Sequence, residues 1–445
     1  MSDLALRSDL GYLEDAFTWA RKRALDWVRT STAAGNLPSY WAGYPSRPMF
    51  YSRDVCHQAV GAHLLGLDAE NFAMLRHFAR SATPARKWYP LWAFHFDGSI
   101  ADLDYHGDEH FVREIPAVFD LTYRALGQYG WTGDRRWIDD PDLAAYYLRS
   151  VDDFVAEHDS DGDGIPESSG TGDIFLGTAT YNEQDAEHPL LVAGDGLATQ
   201  YGALLALAKV ADGNDRKRFL KRAEQLQTDF LASWWDASKA RFARGRSKNG
   251  LDFGWGLEAT WFVPMLGLSG TGERNELFLD YLETQLAEHP PANIEAFTYL
   301  PEVFFRHRRD ESAWRWLRHV IDSRDVYPEI SFTVVEHLVA GLLGLVPDAA
   351  SASLTVDSHL PAEIGWLEVD HIRVGDWDLR ITSHGRQSIE ITVYSGPGPL
   401  RVSIGSSGPW TAVDPGRTAR LTPGETARLT PGKTAGLTPS DEARP

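Results

Sequence analysis

The sequence predicts a closed ring of helical hairpins, an all-α (α/α)6 toroid, followed by a small antiparallel β-unit. Three observations predict it. About twelve amphipathic or apolar helical segments precede residue 345. They are joined alternately by short and long loops. From Ser353 the hydrophobic period changes from helical to two.

The segments follow in order. Leu13, Phe17, Ala20, Leu25 and Val28 mark a helix over 9–30. A Gly/Pro loop delivers Phe50-Tyr51-Ser52-Arg53-Asp54, which opens a helix over 54–66 ended by Gly66. A third covers 70–82. The loop 83–107 carries Trp88, Tyr89, Trp92, Phe94, Phe96 and Tyr105, too aromatic for disorder. Helices over 108–129 and 142–157 lead to a second long loop, 158–190. The remaining segments are 192–211, 214–234, 255–267, 273–288, 297–307, 310–323 and 331–344. The segment over 192–211 is apolar nearly all round, as an inner helix of a ring should be. No fixed repeat period supports an open solenoid. The expected division is a toroid over 1–350, a β-domain over 351–405 and a flexible low-complexity tail over 406–445, where Thr-Ala-Arg-Leu-Thr-Pro-Gly recurs.

Composition narrows the function. A net charge of −20 over 445 residues argues against nucleic acid and anionic membrane, which require a basic face. The single cysteine, Cys56, rules out a disulfide within the chain. No apolar run is long enough to span a membrane, and the N-terminus does not read as a signal peptide; the expected compartment is the cytoplasm. The chain has 16 Trp and 16 Tyr beside its acidic excess. Aromatic faces stack on sugar rings and carboxylates accept from hydroxyls, so a small carbohydrate is the expected partner. Nucleotide-binding, zinc and serine-nucleophile motifs are missing, so no cofactor is expected.

Candidate chemistry concentrates at a few places. Glu329 follows Pro328 at the mouth of the last apolar helix. Arg53 and Asp54, side by side, can grip vicinal hydroxyls. Trp88, Tyr89, Trp92, Asp104, Tyr105 and Glu109 combine aromatics with acids in one loop, the composition of a sugar subsite. Asp159, Asp161, Asp163 and Glu167 resemble a calcium loop, but Glu167 stands at position nine rather than twelve, so no metal is assigned. The same loop runs on to Asp173 and Thr180-Tyr181-Asn182-Glu183. Asp173 or Glu183 is the candidate second carboxyl facing Glu329, because glycosidic hydrolysis uses two.

Taken together, Tyr51-Ser52-Arg53-Asp54, the Asp161-Gly162-Asp163-Gly164 turn with Thr180-Tyr181-Asn182, the Tyr327-Pro328-Glu329 mouth and the β-unit resemble the six-hairpin glycosidases: glucoamylases, trehalases and α-L-rhamnosidases. The resemblance spans roughly residues 10–405. It implies a glycoside hydrolase, inverting in mechanism. Glu329 would be the general base, Glu183 or Asp173 the general acid, and Arg53, Asp54 and Tyr181 would be sugar contacts. Related toroids include sugar epimerases, lyases and phosphorylases. An epimerase would use histidines such as His57, His95 or His106, and a non-catalytic sugar-binding toroid is the further alternative.

Overall fold

The computed structural model describes residues 3–29, 36–182, 189–405, 407–423 and 428–431. Among them, twelve α-helices have seven residues or more: α1 Gly11–Asp26, α2 Ser52–Leu64, α3 Asp68–Ser81, α4 Ile115–Thr132, α5 Pro141–Val151, α6 Gly194–Val210, α7 Gly213–Ser233, α8 Glu258–Met265, α9 Glu273–Glu288, α10 Leu300–Arg306, α11 Asp310–Ser323 and α12 Pro328–Glu336. The even-numbered helices close on themselves: α2 packs on α4, α4 on α6, α6 on α8, α8 on α10, α10 on the end of α12, and α12 on α2. The odd-numbered helices pack outside this ring.

The burial pattern explains the two layers. Outer helix α7 buries only Phe219, Ala223, Leu226 and Phe230, a single stripe at helical spacing. Inner helix α6 buries residues on every side, among them Leu197, Ala198, Leu204 and Ala208. Two glycines let inner helices touch backbone to backbone. A Cβ at Gly61 of α2 would lie 2.1 Å from the Phe332 carbonyl oxygen of α12. One at Gly194 of α6 would lie 2.1 Å from the Ala259 carbonyl oxygen of α8.

Short strand pairs lie in the loops, as at Met49–Tyr51 with Ala93–His95. The C-terminal β-unit is larger than its sequence suggested. Its strands are β2 Val346–Asp348, β3 Ser353–Val356, β4 Trp366–Val374, β5 Trp377–His384, β6 Ser388–Ser395, β7 Leu400–Ile404, β8 Thr411–Val413, β9 Arg417–Leu421 and β10 Arg428–Pro431. A further strand near the start of the chain, β1 Ala5–Ser8, pairs antiparallel with β4, so the sheet draws on both ends of the described sequence. The sheet order is Ala5–Ser8, β4, β5, β6, β9, β10; a second sheet holds β2, β3, β7 and β8. The segment expected to be a flexible tail therefore supplies three strands. In β9, Ala419 and Leu421 alternate inward while Arg417 and Arg420 face solvent, which is a strand pattern hidden inside a repetitive composition.

Candidate active site

All six inner helices begin at the same end of the ring, and each has an acid in its first turn or just before it. Asp54 is the third residue of α2, Glu114 precedes α4, Asp195 is second in α6, Glu258 opens α8, and Glu329 is second in α12. Glu295 lies in the Ile294–Phe297 turn that leads into α10. Carboxylates favour helix N-termini because the unpaired N–H groups there carry partial positive charge. Here the helices converge, so that local preference builds a ring of six buried acids, none more than 7% exposed.

A cavity of about 330 Å³ stands over this ring. Asp54, Glu258 and Glu295 line it, together with Arg53, Tyr44, Tyr51, Trp92, Tyr181, Asn182 and Tyr327. Arg53 is the central cation. It donates to Glu295 and, at 3.1 Å, to the Tyr181 carbonyl, and its guanidinium lies 5.4 Å from the centre of the Tyr181 ring. Asn293 braces Glu295 from the other side, donating to Oε2 at 3.1 Å. The Tyr327 hydroxyl donates to Asp54 at 3.2 Å. Trp92 donates its indole N–H to Glu114 at 3.0 Å, which fixes the aromatic wall. Asp195 accepts from Thr180 Oγ1 at 2.9 Å and from the Tyr181 backbone N–H at 2.7 Å, and so holds the loop that carries Tyr181 and Asn182.

The electrostatics follow from this crowding. Burial pushes Asp54 up to about 7, and Glu295 adds to it. Burial likewise pushes Glu258 up to about 7, against the pull of Arg53. Asp195 reaches about 7 by burial despite its hydrogen bonds. Carboxylate oxygens of Asp54, Glu295 and Glu329 lie within 4.8 Å of one another, and this group has the ligand types of a cation site. Arg53 already supplies positive charge there through its pair with Glu295.

The structure brings Arg53, Asp54, Trp92 and Tyr181 of the expected site residues together on this cavity. Glu329 is one layer behind it. It is fully buried, bonds to His57 Nδ1, and lies 3.4 Å from Thr298 Oγ1. Burial, then Glu295 and Asp54, raise its pKa, and it does not line the cavity. Pro328 opens α12 and Glu329 is its second residue, so the carboxyl is buried in the first turn of the helix rather than carried on an open loop. Asp173 does not reach the cavity. It is exposed and accepts from the Phe175 N–H at 2.9 Å, capping a short turn. Glu183 lies outside the described residues.

The remaining aromatic-loop residues do not line this cavity. Trp88 packs under Arg149. Tyr105 donates to Asp108 at 2.6 Å. Asp104 is buried beside it in the chain. Tyr89 and Glu109 line a different cavity, between the 83–107 and 158–190 loops. In the acidic turn, Asp159 accepts backbone N–H groups from Gly162 and Gly164 at 2.7 and 2.8 Å, and Arg246 reaches Asp161, Asp163 and Glu167.

Sequence reasoning missed Glu114, Asp195, Glu258 and Glu295. The signal was present, since every second helix opens with an acid. It was masked because the outer helices also carry acids in their first turns, as at Glu14, Asp142 and Asp310.

No family model and no curated protein matches the sequence. Solved structures do. A GH78 family rhamnosidase of Bacillus sp. GL1 superposes with a TM-score of 0.62 at 13% identity, covering 91% of this chain and 42% of that one. An α-L-rhamnosidase from Dictyoglumus thermophilum gives 0.59 at 12% identity, covering 91% and 45%. The chain thus spans less than half the length of these two. A glycosidase gives 0.52 at 12% identity, covering 75% of this chain and 99% of that one. The closed double ring of helices with its appended sheets has the fold of the six-hairpin glycosidases.

Proposed function

We propose that this chain is a glycoside hydrolase that removes a terminal sugar from a small glycoside by two-carboxyl acid/base catalysis. One observation carries the reading. An aromatic-walled cavity is floored by Asp54, Glu258 and Glu295, and these groups sit in unlike environments: Glu295 pairs with Arg53, whereas burial pushes Glu258 up to about 7. Such a floor holds some acids protonated and others ionised at the same pH, as general acid/base hydrolysis requires.

Glu258, at the start of α8, is the proton donor: burial keeps it protonated up to near neutrality. The base comes from the Asp54–Glu295–Glu329 group, and its pocket-lining, Arg53-held member is Glu295. Arg53 and Asp54 grip sugar hydroxyls, with Trp92 and Tyr181 as walls. A second assignment keeps Glu329 as base with Glu183 as acid. It is favoured by Glu329 Oε2, which has no hydrogen-bond partner among the described residues. His57, His95 and His106 do not line the cavity, which favours hydrolysis over histidine-based epimerisation.

A panel of nitrophenyl glycosides and disaccharides tests the activity. With the substrate found, Glu258→Gln and Glu295→Gln should each lose about 10²–10⁴-fold in kcat. The Glu258→Gln loss should be smaller for the nitrophenyl leaving group, which needs less protonation. Azide should restore Glu295→Gln, giving a product of opposite anomeric configuration. No turnover on any member of the panel would sink the reading.

A further inference from the structure

The ring has a second opening. At the end opposite the acids, the C-terminal halves of the inner helices enclose a cavity of about 610 Å³, larger than the candidate active site. Val60 of α2, Gln128 of α4, Leu205 of α6 and Arg306 of α10 all reach it. Cations at helix C-termini have a structural use, so Arg306 by itself signifies little. Two other features do not reduce to helix capping.

The first is Glu336. It lines the cavity, is only 8% exposed, and its Oε2 has no hydrogen-bond partner among the described residues. A buried polar atom left without a partner is costly, and a ligand group is one way to satisfy it. The second is the wall beside it. From His337 to Gly341 the last inner helix widens into a π-helical turn, and Ala340 of that turn faces the cavity. Such turns cost stability and recur at binding sites.

The lining also specifies a chemistry. Arg124 and Arg306 donate, Glu302 accepts, and Gln128 does both. Burial pushes Glu336 up to about 8, so it holds a proton to donate near neutrality. Tyr123 and Trp131 supply flat aromatic faces. Charges of both signs stand close together: Arg124 pairs with Glu302 at 3.2 Å, and Lys209 with Asp348 at 3.6 Å. A charged ligand would meet a like charge wherever it sat, whereas a neutral ligand with many hydroxyls would find both donors and acceptors. We infer that this cavity is a second binding site, for a neutral polyhydroxylated small molecule such as a free mono- or disaccharide.

The site is not isolated from the first. The Tyr181 hydroxyl donates to Asp120 at 3.3 Å, Asp120 pairs with Arg124 at 3.5 Å, and Arg124 pairs with Glu302. This polar chain runs through the ring from one cavity to the other.

Trp131 and Trp92 give each cavity its own reporter. The full chain carrying 5-fluorotryptophan is titrated with D-glucose, L-rhamnose, trehalose and myo-inositol, and the fluorine resonances are assigned by Trp131→Phe and Trp92→Phe. At least one of these compounds should shift the Trp131 resonance saturably. Arg306→Ala should weaken that binding tenfold or more, and Ala206→Phe, which fills the cavity, should abolish it. Both variants should retain the wild-type circular dichroism; Arg306 is exposed, so its removal leaves the core intact. Three outcomes overturn the inference: a Trp131 resonance unmoved by all four compounds, a shift unchanged in Arg306→Ala, or equally tight binding of glucuronate or glucosamine. A response confined to Trp92 reports the candidate active site and also overturns it.

Discussion

Glu295 and Glu329 show how much one layer of depth matters. Both belong to the same group of buried carboxyls, yet Glu295 meets the cavity and Arg53, while Glu329 meets His57 and Thr298. The His57 ring stacks on Tyr299 at 3.7 Å, and burial lowers its pKa, so a neutral imidazole faces Glu329. A protonated Glu329 beside a neutral His57 needs no compensating charge, which is how a fully buried acid is tolerated here. Glu329→Gln keeps that shape and hydrogen-bonding capacity. It should leave turnover within about tenfold of wild type, against the loss of about 10²–10⁴-fold expected for Glu295→Gln. A loss in Glu329→Gln equal to that of Glu295→Gln, with azide rescue, would transfer the base role to Glu329.

At the scale of elements, the close approach of α2 and α12 is the contact that sets Asp54 beside Glu329. Gly61→Ala would drive a methyl into the Phe332 carbonyl, which belongs to backbone and cannot rotate away. It should cost about 1–3 kcal/mol or more by overpacking. Gly127→Ala in α4 meets nothing within 4 Å and should instead stabilise by up to about 1 kcal/mol through helix propensity. Denaturant midpoints of the two variants check both signs; a neutral Gly61→Ala would mean the helices can move apart freely. The helices themselves were legible in the sequence: the segment read over 192–211 is Gly194–Val210, and that over 273–288 is Glu273–Glu288. Their apolar periodicity is local information. What was not legible depends on partners far along the chain. Ala5–Ser8 is too short to announce a strand, and Glu258 and Glu295 look like ordinary helix-entry acids until ring closure buries them.

For the molecule as a whole, the buried acids give stability a definite dependence on pH. Burial pushes Asp54, Asp195 and Glu258 up to about 7, Asp120 to about 6 and Glu336 to about 8. In the unfolded chain such groups titrate near 4. Between those values the folded state binds more protons, so stability is fully present below about pH 4 in these groups' contribution and is lost as pH rises through 6 to 8. Buried His57 and His337, whose pKa values burial lowers, act in the opposite sense but only below their unfolded value of about 6.5. The denaturation midpoint should therefore fall from pH 6.5 to pH 8, and Asp195→Asn should flatten that fall. A midpoint that rises over the same interval would show that these acids are ionised in the folded chain.

The pairing of Ala5–Ser8 with Trp366–Val374 also sets an order of events during synthesis. The Ala5–Ser8 strand has no partner until some 360 further residues have left the ribosome, as the pairing of Ala5 with Asp370 requires. The inner ring has the same dependence, since α2 waits for α12. Contacts this distant in sequence form slowly and leave apolar edges open meanwhile. Helices α2 to α11 can accumulate as a partial arc, but the acids at their N-termini stay in water until α12 arrives. The chemistry of the candidate site would then be switched on when α12 closes the ring rather than assembled gradually.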